Sequence, residues 1–277
     1  IYNGGTIGMK PGPQGYAPEV GFLQTQMNLL PAFHHVGLPL FDILEQSPLI
    51  DSANMLPEYW WGIAQDIAKH YHEYDGFVVL HGTDTMAYTA SALPFILQGL
   101  DKPVIITGSQ IPLCELRNDA QENLITSLLI AEKYPIPEVC LYFGGRLIRG
   151  CRAVKADARG FQAFASPNYP LLGEIGVGIE IFWNRVLPAP ESGAELSLKP
   201  LHYATVGALR LFPGISASVL ENFLKPPLQG LVLETYGVGN GPILNPQFLN
   251  VLRQIMCGQQ IDYRRATTGN SIIAKYQ

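Results

Sequence analysis

From Asp75 onward the chain alternates between short unbroken apolar runs and segments of helical period, and this alternation restricts its fold more than any other feature. Phe77-Val78-Val79-Leu80 is a continuous apolar run that stops at His81-Gly82. A strand covered on both faces reads this way, because neither face has water to satisfy. After Thr83 the period changes, and Met86, Ala87, Ala90, Leu93 and Leu97 recur at helical spacing. Pro103-Val104-Ile105-Ile106 is the next strand, closed by Thr107-Gly108-Ser109. A helix over 118–132 carries Leu124, Leu128 and Leu129 on one side, and Val139 to Phe143 is a further strand. Strand, helix, strand, helix, strand predicts an α/β fold with a mainly parallel sheet and right-handed crossovers.

The stretch from Pro188 to Pro200 is polar, proline-bounded and without apolar period, so 188–200 is expected to be a linker. It would divide a larger N-terminal domain, 1–187, from a smaller C-terminal α/β domain, 201–277. In the latter, strands are expected over Val206 to Leu211 and Leu231 to Glu234, with helices over 216–224 and 250–256. Gln259-Gln260-Ile261-Asp262-Tyr263 supplies almost no apolar run where another buried strand should follow. The C-terminal domain is therefore expected to be incomplete. The start at Ile1, inside an expected strand and without Met, leaves a removed signal peptide open.

With 277 residues, 47% hydrophobic and 15% charged, the chain suits a compact enzyme of cytosolic type and excludes long disorder. A net charge of −5 and a single short basic pair, Arg264-Arg265, argue against nucleic acid as a partner. Cys114, Cys140, Cys151 and Cys257 have neither C-x-x-C spacing nor a nearby histidine pair, so neither a metal nor a disulfide framework is expected. Proline and glycine interrupt every candidate for a membrane span.

Two glycine turns carry the chemistry. Asn3-Gly4-Gly5-Thr6-Ile7-Gly8 opens the chain, and His81-Gly82-Thr83-Asp84-Thr85 ends the first apolar run. Open α/β sheets gather reactive groups at such strand ends. Amide hydrolysis needs an activated nucleophile, a proton route to the leaving amine and donors for an oxyanion. Thr83 and Asp84, with Lys155 in Arg152-Ala153-Val154-Lys155-Ala156-Asp157, offer a hydroxyl, a carboxylate and a base. A second reading stands beside this one: Thr83 caps the following helix and Lys155 is a surface lysine. Spacing alone does not separate the two.

Gly4-Gly5-Thr6-Ile7-Gly8, His81-Gly82-Thr83-Asp84-Thr85-Met86, Thr107-Gly108-Ser109-Gln110, Val154-Lys155-Ala156-Asp157 and Tyr236-Gly237-Val238-Gly239-Asn240 occur in one order along the chain. This ordered set resembles the bacterial-type L-asparaginase family. With Asp51-Ser52-Ala53-Asn54-Met55 and Ala165-Ser166-Pro167-Asn168 it looks most like the cytoplasmic type I branch. The resemblance implies a large N-terminal α/β domain, a smaller C-terminal one, a cytoplasmic homodimer or homotetramer, and no cofactor.

It also implies roles. Asn3 stands where the family has its first nucleophilic Thr. Tyr16 matches the lid tyrosine that assists that Thr. Thr83, Asp84 and Lys155 match a second triad, Asp84 also binding the substrate's α-amino group. Ser52 matches the residue that holds the α-carboxylate, Ser109 lies where a backbone carbonyl meets the side-chain amide, and Asn240 matches an asparagine that reaches a neighbouring subunit's site. Bland readings remain beside these: a loop aromatic for Tyr16, a turn residue for Ser52, and a left-handed turn position for Asn240. The places used by the regulatory site of some type I enzymes hold Val154 and Glu234, so regulation there is not expected. Of the family's tail, only Ala266-Thr267-Thr268-Gly269-Asn270 maps.

Asn3 governs the functional expectation. A carboxamide has no ionisable proton at neutral pH and cannot form the acyl ester that a threonine hydroxyl forms. The leading expectation is an L-asparagine amidohydrolase with impaired turnover. The alternatives are a non-catalytic amino-acid-binding homologue and the amidohydrolase subunit of a tRNA-dependent amidotransferase.

Overall fold

A computed structural model describes residues 1–13, 15–191, 194–258, 263–265 and 271–275, with side chains described to residue 254. Its contacts divide the chain into two units, Ile1–Leu201 and His202–Gln277.

The first unit opens with β1 (Tyr2–Gly4), a hairpin of β2 (Met9–Gly12) and β3 (Gly15–Pro18), α1 (Phe22–Leu29), β4 (Glu45–Ile50) and α2 (Pro57–Lys69). It continues through β5 (Phe77–Leu80), α3 (Met86–Ile96), β6 (Leu97–Gln98), β7 (Val104–Thr107), α4 (Ala120–Lys133), β8 (Val139–Phe143) and β9 (Arg146–Arg149). The remaining strands are β10 (Val154–Lys155), β11 (Phe164–Ala165), β12 (Gly173–Ile175), β13 (Ile179–Ile181) and β14 (Ser197–Leu198). The central sheet has eight strands in the order β13-β12-β9-β8-β7-β5-β1-β4. The run from β8 through β7, β5 and β1 to β4 is parallel, while β9, β12 and β13 extend the sheet antiparallel.

Strand alternation sorts this sheet's side chains between two faces. Phe77, Val79, Val104, Ile106, Val139, Leu141 and Phe143 pack with Ile63 and Ile67 of α2 and Met86, Ala90, Leu93 and Ile96 of α3. On the opposite face Tyr2 and Leu80 pack with Leu23 and Met27 of α1 and Leu124 of α4. Ile105, Cys140 and Tyr142 meet Ile130 and Ala131 further along α4. The unbroken apolar runs of β5, β7 and β8 follow directly, since both faces of each strand are covered.

The 188–200 segment departs from the linker expectation. Ser197 and Leu198 pair antiparallel with Gln98 and Leu97, Lys199 N–H donates to the Ile96 carbonyl at 2.8 Å, and Leu196, Leu198 and Leu201 pack against the core. The apolar alternation of Leu196 and Leu198 is too short to read as a strand in isolation; an edge waiting on β6 makes it one. Compact contacts of the first unit thus run to Leu201 rather than ending at 187. Residues 192 and 193 lie outside the described residues.

The second unit holds β15 (Val206–Arg210), α5 (Ala217–Phe223), β16 (Gly230–Glu234), α6 (Pro246–Gly258), β17 (Tyr263–Arg265) and β18 (Ser271–Lys275), with sheet order β15-β16-β18-β17. The Ser216 hydroxyl accepts from the Val219 N–H and caps α5. Leu209, Leu220, Leu231, Leu233 and Phe248 form its core. The sequence offers no apolar run over 259–263, yet Tyr263–Arg265 is a strand, and β18 pairs antiparallel with β16. Residues 259–262 and the 266–270 stretch lie outside the described residues. No helix among the described residues is long and apolar enough to cross a membrane.

Candidate active site

The parallel strands β1, β4, β5 and β7 all end on one side of the sheet, and the segments that leave them meet there. Glycine makes the approach possible. A Cβ on Gly5, at φ +86°, would lie 2.3 Å from the Gly82 nitrogen, and one on Gly82 would lie 2.5 Å from the Ser52 hydroxyl oxygen. Neither distance is attainable for a real Cβ, so the first glycine turn, the second and the Ser52 turn are in direct contact. Ser52 is buried in the short 3-10 turn Ser52–Asn54 after β4. Its carbonyl accepts from the Thr85 hydroxyl at 2.7 Å.

Lys155 enters from β10, held in place by pairing with Phe164 of β11. Its Nζ lies 2.9 Å from Thr83 Oγ1 and 2.7 Å from Asp84 Oδ1. Three residues that spacing could not bring together are therefore in hydrogen-bond contact. Thr83 does not serve as the helix cap of the rival reading: the residue preceding α3 is Thr85, and it makes no side-chain cap bond. Lys155 is 21% exposed and Asp84 62%, so their ion pair borders solvent and is largely screened. The Thr83 hydroxyl can in turn donate to Gln110 Oε1 at 3.5 Å, a long contact, while Gln110 Nε2 donates to the Gly160 carbonyl at 3.1 Å.

A buried chain of donors fixes the turn that carries Thr83. The Trp60 indole N–H donates to Thr89 Oγ1 at 2.9 Å, and Thr89 Oγ1 stands 2.8 Å from His81 Nε2. His81 Nδ1 lies 2.7 Å from the Gly82 carbonyl, which can only accept. The network assigns the proton to Nδ1 and leaves Nε2 to accept from Thr89. Burial lowers the His81 pKa to about 4, which keeps this tautomer neutral.

Asn3 is 2% exposed, but its carboxamide turns elsewhere. Tyr2 faces α1 and α4, so the alternation of β1 sends the next side chain to the α2 face. There Asn3 Nδ2 donates to Gln46 Oε1 at 2.5 Å, and Gln46 Nε2 donates to Asp66 Oδ2 on α2 at 2.8 Å.

Three expected site residues take no part in the lysine contacts. Tyr16, 49% exposed on β3, donates its hydroxyl to Glu115 Oε1 at 2.6 Å. Ser109 is buried beside the end of β7 and donates its hydroxyl to the Ile111 carbonyl at 2.6 Å, within its own turn. Asn240 belongs to the second unit, exposed in a turn whose carbonyl accepts from the Tyr236 N–H at 3.0 Å. Gln46, Gln110, Glu115 and Asp119 carry contacts that sequence reasoning missed. Gln110 had a signal, as the last residue of Thr107-Gly108-Ser109-Gln110; Asp119, which accepts from the Gln110 and Ile111 N–H groups, sits before a helix like an ordinary cap.

Comparison with known proteins narrows what this arrangement belongs to. The family described as Asparaginase, N-terminal, matches residues 1–187, the span that contains every contact of the lysine cluster. L-asparaginase 1 of Escherichia coli is 54% identical over 253 residues, covering 91% of this chain and 74% of that protein. The 60 kDa lysophospholipase of Homo sapiens is 45% identical over 275 residues, covering 91% of this chain and 47% of that protein. The crystal structure of L-asparaginase I from Vibrio cholerae superposes with a TM-score of 0.83 at 49% identity, over 91% of this chain and 75% of that one. With motifs, sheet topology and sequence in agreement along nine-tenths of its length, the chain belongs to the asparaginase family.

Proposed function

We propose that this chain is an L-asparagine amidohydrolase, converting L-asparagine and water to L-aspartate and ammonia, whose turnover is slowed by Asn3. The observation that carries the reading is the contact of Lys155 Nζ with Thr83 Oγ1 and Asp84 Oδ1, at 2.9 and 2.7 Å, in a chain 54% identical to a protein named L-asparaginase 1.

In the acylation step a hydroxyl oxygen forms a bond to the amide carbon, its proton passes to the leaving nitrogen, and ammonia departs; water then cleaves the ester. As an ammonium, Lys155 is only a donor. For it to act as base it must first hand on a proton, and the Asp84 carboxylate is the acceptor in reach. Before it takes that proton, the Asp84 carboxylate offers a charged partner to the substrate's ammonium, and the neutral Ser52 hydroxyl can donate to the substrate's carboxylate. Ser109 and the lid residue Tyr16 are assigned to the substrate amide and to position 3 by the family pattern. Asn3 has no hydroxyl to acylate, and its amide is committed to Gln46.

The protein as written is expected to bind asparagine while releasing ammonia slowly. Asn3→Thr should raise the rate by roughly 10⁴ to 10⁶, the usual cost of a missing nucleophile. A coupled ammonia assay on both forms, with calorimetry of asparagine binding, checks this. Equal and substantial rates would mean that position 3 is not the nucleophile's place. Binding without turnover in either form would favour a binding homologue, and turnover only with a charged tRNA would favour the amidotransferase reading. We also propose that Asn240 serves the site of a second copy in at least a homodimer. Light scattering that finds only monomer at micromolar concentration would count against it.

A further inference from the structure

The hairpin of β2 and β3 forms a two-stranded sheet of its own, in register from Met9 opposite Pro18 to Pro11 opposite Tyr16. A ribbon of this kind is marginal in water unless something holds it. The Lys10–Glu19 ion pair at its stem is about half exposed and adds little. Lys10 also sits over the Phe22 ring of α1, while the long-range hydrogen bonds that the hairpin's described residues make beyond the ribbon run to one loop, the 110–119 segment after β7. The Leu113 N–H donates to the Ile7 carbonyl at 3.0 Å, just before the hairpin. Cys114 Sγ reaches the Met9 carbonyl at 3.6 Å, and Glu115 takes the Tyr16 hydroxyl at 2.6 Å.

That loop is rigidly built. The Glu115 N–H donates to the Pro112 carbonyl at 3.0 Å, and Asn118 Nδ2 donates to the Glu115 carbonyl at 2.6 Å while its Oδ1 caps Gln121. Buried Asp119 accepts from the Gln110 and Ile111 N–H groups at 2.9 and 3.0 Å. At its beginning the same loop presents Gln110 to Thr83, and in its middle it presents Glu115 to Tyr16.

Resting on the amidohydrolase reading above, we propose that Glu115 is a positioning residue for the lid: its carboxylate holds the Tyr16 hydroxyl and seats β2 and β3 on the loop that also supports Gln110 beside Thr83. Glu115 touches none of the reacting groups and acts through Tyr16. A hydroxyl-to-carboxylate bond at this distance belongs to the strong class of hydrogen bonds. The accepting carboxylate also holds the Tyr16 phenol above its ordinary pKa, which keeps Tyr16 a donor further into the alkaline range.

Two measurements test this. Amide hydrogen exchange of β2 and β3, in the protein with Asn3 in place, reads the seat without any need for turnover. Glu115→Ala should speed exchange there about three- to tenfold, the factor that one net hydrogen bond is worth, and Glu115→Gln, which keeps an acceptor oxygen, should restore most of the protection. Tyr16→Phe should speed it equally, and the double variant no further. In the Asn3→Thr background, Glu115→Ala should lower kcat for asparagine by a similar factor, with no further loss once Tyr16→Phe is present. Unchanged exchange in Glu115→Ala, or a full additional loss in the Tyr16→Phe background, would overturn the proposal. Altered exchange with no ammonia from any form would sink the amidohydrolase reading and leave the seat standing.

Discussion

The two glycine turns at the ends of neighbouring strands β1 and β5 look alike in sequence and behave oppositely in the fold. The turn after β5 carries Thr83 into contact with a lysine on the solvent border, beside a carboxylate that is more than half exposed. The side chain before the Gly4-Gly5 turn is buried and tied through Gln46 to Asp66 in a chain with no reactive proton. Charge near water can be rearranged by a substrate; a satisfied buried amide cannot be disturbed without leaving a partner orphaned. The position 3 side chain is thus tied into buried structure, whereas Thr83 lies in a charged cluster at the solvent border.

The largest test of that contrast beyond Asn3→Thr itself lies at Lys155. In the Asn3→Thr background, Lys155→Met should reduce ammonia release by about 10² to 10⁴, the usual contribution of a positioned acid or base. A loss below threefold would mean that the charged cluster is not part of the chemistry, and the contrast between the turns would lose its meaning.

The neutral histidine beneath Thr83 makes the next test. Burial lowers its folded pKa to about 4 from the ordinary histidine value of 6.5. Between those values the unfolded chain takes up a proton that the folded one refuses, so stability rises with pH across this window. The contribution is complete above about pH 6.5 and lost as pH falls toward 4, on the order of 3 kcal/mol at 1.36 kcal/mol per unit. Urea unfolding at pH 7 and pH 5 should show the decline, and His81→Gln should flatten it. An unchanged slope in that variant would remove His81 as its source.

The smallest effect concerns the neutral chain. Gln46→Leu should cost about 1 to 3 kcal/mol by stranding the Asn3 amide and one Asp66 oxygen. Asp84→Asn, at the exposed pair, should cost under about 1 kcal/mol. Thermal denaturation of the two variants that reversed this order would show that position 3 is not the buried structural member of the pair.

Much of this was legible before any coordinates. Phe77–Leu80, Val104–Thr107 and Val139–Phe143 are strands because both faces are covered, and covered strands write themselves as unbroken apolar runs. The helices after them announce themselves by period. The ordered motifs pointed to the asparaginase family, in which comparison places the chain. The Ser197–Leu198 strand was not legible, because two residues carry no period and their pairing depends on an edge a hundred residues away.

The sequence by itself determined the α/β class, the strand ends that carry the glycine turns, and the absence of a hydroxyl at position 3, since residue type and local period are written in neighbouring residues. Only tertiary structure decided that Lys155 reaches Thr83 across seventy-two positions, that Asn3 spends its amide on Gln46, and that Tyr16 rests on Glu115. Those contacts depend on sheet order, on which face a strand residue takes and on where loops are pinned. Such quantities arise from packing the whole chain at once, and no window of sequence contains them.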